Sequence, residues 1–235
     1  MIPTTRHRFL AAGLALAGVL GVAGTASAAA AADGPIDFEA AKARCIEAIT
    51  VRHGEIAKLG NQAGSAANLT DAHEATIDSF LAAADSGLTA LQATIEADTE
   101  PAALRAHCES IATDYRIYAL RSPQVHLAIG GDRAAAAITK ADGIVARLET
   151  AIDEAAAAGK DVTAATAALE DMKAKLADAT TQLSGVVDTE LTYTPADWNA
   201  NHSVLGPTTS ALRAVKADLQ AAMADARLII ADLKD

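Results

Sequence analysis

Apolar side chains recur at alternating three- and four-residue steps through six stretches of this chain, and that rhythm constrains the fold more than any other feature. The first stretch, 36–66, carries Cys45, Ile49, Arg52, Ile56, Leu59 and Ala63, with Arg52 as the one polar interruption. The second, 71–98, runs Ile77, Leu81, Ala84, Leu88, Leu91 and Ile95 without a break. Such spacing places one apolar stripe along a helix and no coherent face on a strand. Aromatic residues make up only 3% of the chain, so the side chains that strands favour are scarce. The chain is therefore expected to be all-α.

Local signals set the expected boundaries. Asp71 and Glu74 are spaced as a capping box at the start of the second helix, and Pro101 suits the first turn of the third. In the third stretch the rhythm is Leu104, Cys108, Ile111, Tyr115, Tyr118, Ser122, Val125 and Ile129. Because the phase carries across Pro123, one helix kinked at the proline is expected over 101–129, ended by Gly130-Gly131, with Asp132 capping the next. The fourth helix is expected over 132–158, the fifth over 161–191 and the sixth over 207–234. Short connections make neighbouring helices antiparallel. The layout expected is two three-helix units in tandem, 36–129 and an Ala-rich 132–235, with a single six-helix bundle as the alternative. The connection 192–206 is longer than the others and holds Tyr193, Trp198 and His202, a candidate loop site.

The first residues read as a targeting segment. Arg6, His7 and Arg8 precede an uncharged apolar run from Phe9 to Ala23, and Ala26-Ser27-Ala28 offers a small-x-small cleavage pattern. The run is shorter than the roughly 20 residues a spanning helix needs. A Sec-type signal peptide over 1–28 is expected, then a flexible mature N-terminus over 29–35, with no transmembrane anchor after cleavage. Loss of Arg6 and Arg8 would take the formal charge from −11 to about −13. A body this acidic repels phosphate backbones, so nucleic acid is not an expected partner.

An exported chain meets an oxidising compartment, and its two cysteines invite pairing. Cys45 lies about nine residues into the first helix and Cys108 about eight into the third, so in an up-down-up bundle their heights differ by only ~2–3 Å. A Cys45–Cys108 disulfide is expected; two buried free thiols are the alternative. One heptad on from each cysteine stand Arg52 and Tyr115. An inward arginine needs a partner, and Asp85 or Asp114 could supply one. Arg52, Asp85, Asp114, Tyr115 and Tyr118 thus form a candidate polar layer for a small anion or aromatic ligand. The alternatives are an internal ion pair that fixes register, or an arginine that reaches outward to water.

No chemistry-bearing motif accompanies these features. His53, His73, His107, His126 and His202 form no His-x-x-x-His pair, the acidic residues lack EF-hand spacing, and no Gly-x-Ser-x-Gly elbow is present. No metal, cofactor or catalytic residue is expected, and the chain is not expected to be an enzyme.

Three short motifs carry a resemblance. Asp114-Tyr115-Arg116-Ile117-Tyr118 followed by Pro123, the early Cys45-Ile46-Glu47-Ala48-Ile49, and Thr194-Pro195-Ala196-Asp197-Trp198 with Asn201 resemble a group of uncharacterised secreted helical-bundle proteins of actinobacteria. The likeness covers nearly the whole mature chain. It implies a signal peptide, a helical body and paired cysteines, and no activity. The expected function is that of an exported, non-enzymatic helical bundle of the cell envelope or extracellular space, with a protein or envelope component as partner. A small-ligand binding module is the alternative.

Overall fold

Each helix begins where its sequence supplies an acceptor or a proline. The computed structural model describes residues 37–234, so the expected signal peptide and mature N-terminus lie outside the described residues. Helix α1 (Phe38–Gly64) is capped by Asp37, whose carboxylate accepts from the Glu39 and Ala40 amides. Helix α2 (Asp71–Ala97) is capped by the Thr70 hydroxyl, one residue before the expected Asp71 cap. Thr70 supplies the oxygen while Asp71 occupies the first turn, where its charge meets the positive end of the helix dipole. Helix α3 (Pro101–Thr113) opens on its proline.

The expected kinked helix over 101–129 does not form. The chain leaves helical geometry at Arg116, at φ 46 and ψ 39, then resumes in a wider π-helical turn (Ile117–Arg121). Helix α4 (Ser122–Ala157) starts beside Pro123, which occupies a first-turn position where its missing N–H costs nothing. The turn also resets the inward phase. Ile117 and Leu120 are buried, whereas Tyr118, expected inward, is 51% exposed. Beyond it Val125 and Ala128 carry the core face.

The expected break at Gly130-Gly131 is also absent, for α4 runs straight through both glycines. Gly131 serves close packing: a Cβ there would overlap Val187. Asp132 caps nothing on its own helix. It is buried and accepts from the Thr70 backbone amide at 2.7 Å, which ties α4 to the start of α2.

Helix α5 (Thr163–Leu183) is shorter than expected because Gly185 turns the chain at φ 66, and a separate short helix, α6 (Val186–Leu191), follows. Within the expected long connection sits α7 (Pro195–Ala200), closed by a capping box between Thr194 and Asp197. Helix α8 (Gly206–Asp232) ends the described chain.

The fold is all-α, with six helices of three turns or more and no strand among the described residues. From Asp37 onward the chain forms one compact unit with an apolar core in two main parts. The first joins α1, α2, α3, the start of α4 and α6, with Ile49, Leu59, Ile77 and Leu88 wholly buried. The second joins the end of α4 to α5 and α8 around Met172 and Ile229. Ile138, Ala179 and Val215 pack between them. The long α4 therefore belongs to both, and the expected boundary between two tandem units falls inside a continuous helix. Each such buried Leu or Ile contributes about 1.5–3 kcal/mol.

The disulfide joins Cys45 of α1 to Cys108 of α3, with Cα atoms 5.6 Å apart and a sequence separation of 63. No helix among the described residues is long and apolar enough to cross a membrane.

Candidate functional site

The corner between α3 and α4 concentrates strain, polarity and the segments singled out in the sequence. Arg116 is the one non-glycine residue with positive φ among the described residues, a conformation that costs a side-chain-bearing residue about 1–2 kcal/mol. Something must hold it, and α7 does. Arg116 Nε donates to Asn199 Oδ1 at 2.6 Å, and Asn199 Nδ2 donates to the Thr113 carbonyl at 2.9 Å. One asparagine thus ties the distorted residue to the end of α3. Strained backbone and π-turns gather where a fold positions functional groups.

Tyr115 lies across α2 at Gly87, where a Cβ would come within 2.6 Å of the tyrosine Cε1. Burial first, and the neighbouring Asp114 carboxylate second, push its phenol above the ordinary value of 10.0.

The expected polar layer does not assemble inside the bundle. Arg52 Nη1 donates to the Ala48 carbonyl of its own helix at 2.8 Å, and its guanidinium stands 5.7 Å from the centre of the exposed Tyr118 ring. Asp85 pairs instead with His53. Asp114 is exposed and accepts from the Thr113 hydroxyl at 2.8 Å. The phase reset at Arg116 explains the dispersal, because it turns Tyr118 outward while Tyr115 stays beneath α2. Of the five residues, the structure brings only Arg52 and Tyr118 together as a pair.

The loop residues divide as well. Trp198 and His202 lie with ring centres 5.6 Å apart and planes tilted by 41°. Tyr193 is half-buried and turns its carbonyl inward.

That carbonyl leads to a network that sequence reasoning missed. Gln124, wholly buried, donates to the carbonyls of Glu190 at 2.7 Å and Tyr193 at 3.0 Å. Its own Oε1 accepts from Arg121 Nη1 at 2.9 Å, and Arg121 also donates to the Tyr193 carbonyl at 3.2 Å. The Arg121 guanidinium lies 4.5 Å from the centre of the Phe80 ring. Burial lowers its pKa below the ordinary value. Beside this network both carboxylate oxygens of Glu190 are buried without a hydrogen-bond partner among the described residues, and burial pushes the group up to about 8. The signal in the sequence was a polar residue at an inward position, legible only to a reader who began α4 at Ser122.

A separate opening lies between α4 and α8. It encloses about 800 Å³ over a floor of Ala134, Ala137, Leu212, Leu219 and Met223. Arg133, Lys216 and Arg227 stand at its rim, and none of the three forms an ion pair or side-chain hydrogen bond among the described residues. Among those residues no three His, Cys, Asp or Glu side chains converge as a metal site. No family model, no curated protein and no solved structure matches this chain.

Proposed function

We propose that this is an exported, non-enzymatic helical-bundle protein that works by holding an acidic, amphipathic helix of a protein partner in the α4–α8 groove. The observation that carries the reading is the pairing of an apolar floor with three unpaired cations on a chain whose formal charge is −11. On the neighbouring α5, Lys173 and Lys175 each take two carboxylates. Arg133, Lys216 and Arg227 take none, which leaves their charge for an outside ligand. An apolar trough between two helices suits the stripe of a third, and a basic rim selects acidic flanks and speeds their approach. The Cys45–Cys108 bridge supports an oxidising compartment outside the cytoplasm, as the expected export requires.

A photo-cross-linking residue placed at Gln220, inside the groove, tests this on intact cells of the source organism, with Asp178 of α5, outside the groove, as the control position. One discrete adduct from position 220, lost in Lys216→Glu/Arg227→Glu and weakened by salt, is the expected result. Equal labelling from both positions, or an adduct indifferent to the charge reversal, would remove the groove from consideration.

A further inference from the structure

Arg121 presents an arginine fork with no internal anion. Five N–H groups project from a guanidinium in a fixed plane. Here only Nη1 donates within the protein, to Gln124 Oε1 and the Tyr193 carbonyl. Nε and Nη2 make no hydrogen bond among the described residues, and no carboxylate there lies within ion-pair distance of Arg121. A charge this far withdrawn from water is costly unless it is paired. Glu190 is the nearest acidic residue along the chain segment that packs here, yet it does not pair with Arg121, and its carboxylate oxygens have no hydrogen-bond partner among the described residues.

The guanidinium cannot swing to find a partner elsewhere. Phe80 stacks against it, while Gln124 is itself anchored by two carbonyls. The Nε–Nη2 edge of an arginine is the edge that meets a carboxylate through two parallel hydrogen bonds. Arg121 lines a cleft of about 440 Å³ whose other walls include Phe80, Leu191 and Ala75 as apolar surface and Ser79 as a hydroxyl without a partner among the described residues. Clefts of this size accommodate small molecules.

We infer that the Arg121 cleft is a binding site for a carboxylate carried on a short apolar stem, with the fork taking both carboxylate oxygens, Ser79 donating a further hydrogen bond, and Phe80 and Leu191 covering the stem. This site is separate from the α4–α8 groove and does not depend on it. The same chemistry could come from a free short-chain acid or from the C-terminal residue of a peptide.

The test is a titration of the disulfide-intact mature chain, followed by the ¹⁵N resonance of Arg121 Nε. The probes are sodium butyrate, sodium hexanoate, an acetylated Ala-Ala-Leu tripeptide with a free C-terminus, and its C-terminal amide, with sodium chloride to match ionic strength. The expected result is a saturable shift at Arg121 Nε with at least one free carboxylate and none with the amide or chloride. Tighter binding by an acid names a free metabolite as the source, and tighter binding by the tripeptide names a chain end; both uphold the carboxylate assignment.

Arg121→Lys keeps the charge and loses the fork, so affinity measured by calorimetry should fall roughly tenfold or more. Ser79→Ala, at an exposed position of α2 that bears no core contact, should weaken binding several-fold without altering the melting temperature. Lys216→Glu should leave the titration unchanged, which separates failure here from failure of the groove. The inference is overturned if no carboxylate gives a saturable shift, if chloride reproduces it, or if Arg121→Lys and Ser79→Ala both bind as the parent does.

Discussion

Gly131 sits so close to Val187 that a Cβ on the glycine would overlap the valine Cγ2, whereas at Gly130 the nearest contact for a Cβ would be Leu212 Cδ1 at an ordinary 3.6 Å. The two adjacent glycines are therefore not equivalent. Gly130→Ala adds a helix-favouring residue inside α4 without a clash, and should stabilise by about 0.5–1 kcal/mol. Gly131→Ala drives a methyl into α6, and should destabilise by about 1–3 kcal/mol. Urea unfolding with unchanged m-values distinguishes them. Equal effects of the same sign would mean that α4 and α6 are not in contact here.

His73 binds three helices at one point. Its Nδ1 is 2.8 Å from Asp132 Oδ2 of α4, its Nε2 is 3.1 Å from Asp188 Oδ1 of α6, and it stands on α2. Burial alone would lower its pKa, but the hydrogen bonds to the two carboxylates outweigh it and hold the imidazole above the ordinary 6.5. A histidine pKa raised by folding gives stability that is fully present below the unfolded value near 6.5 and lost as pH rises through the folded value. Thermal melts of His73→Gln should show a deficit at pH 6 of roughly 1–2 kcal/mol that shrinks by pH 9. Asp132→Ala strands both the imidazole and the Thr70 amide, so its cost should be larger, about 1–3 kcal/mol, and should persist at high pH. A deficit in His73→Gln that does not vary with pH would show that the imidazolium form contributes nothing.

The apolar rhythm revealed the helical class because it holds along the long helices: Ile77, Leu81, Ala84, Leu88 and Ile95 of α2 are all buried as spaced. It failed where two helices share that phase by accident. The spacing from Ile111 through Tyr118 to Val125 reads as one helix, yet the backbone turns at Arg116, whose side chain is tied to Asn199, 83 residues on. A strained residue stabilised from so far away leaves no local mark. Gly130-Gly131 misled in the opposite sense, since a glycine needed for close packing looks the same in a sequence as one that ends a helix. The candidate layer around Arg52 inherited the first error. Arg121 and Gln124 were invisible because their inward direction follows from the reset phase; Glu190 follows the separate turn at Gly185.

The disulfide fastens the start of the bundle, where α1 and α3 meet across Cys45 and Cys108. It links positions separated by 63 in sequence, and removal of such a bridge costs about 2–4 kcal/mol, mostly by freeing the unfolded chain. Cys45→Ala/Cys108→Ala should fold to the same helical content at lower stability. Reductant should lower the melting temperature of the parent to that of the double variant and leave the variant unmoved. A parent unaffected by reductant under unfolding conditions would mean that the bridge is not formed in solution.

Glu190 should set a second, separable pH dependence. Its carboxyl is wholly buried without a partner among the described residues, and burial raises it from the ordinary 4.5 to about 8. Between those values the folded chain keeps a proton that the unfolded chain has released, so stability declines as pH rises through this window and levels off above it. This loss begins near pH 5, below the range in which His73 titrates. Glu190→Gln keeps the shape and removes the titration. Its melting temperature should match the parent near pH 4.5 and exceed it at pH 8 by several degrees, at ~2–4 °C per kcal/mol for a chain of this size. Between pH 5 and 6 the parent should lose stability while Glu190→Gln stays nearly level, and the decline that comes from His73 should appear in both above pH 6.5. If parent and variant fall in parallel from pH 5 to 8, then Glu190 ionises without penalty and its carboxylate reaches water or a counter-charge in solution.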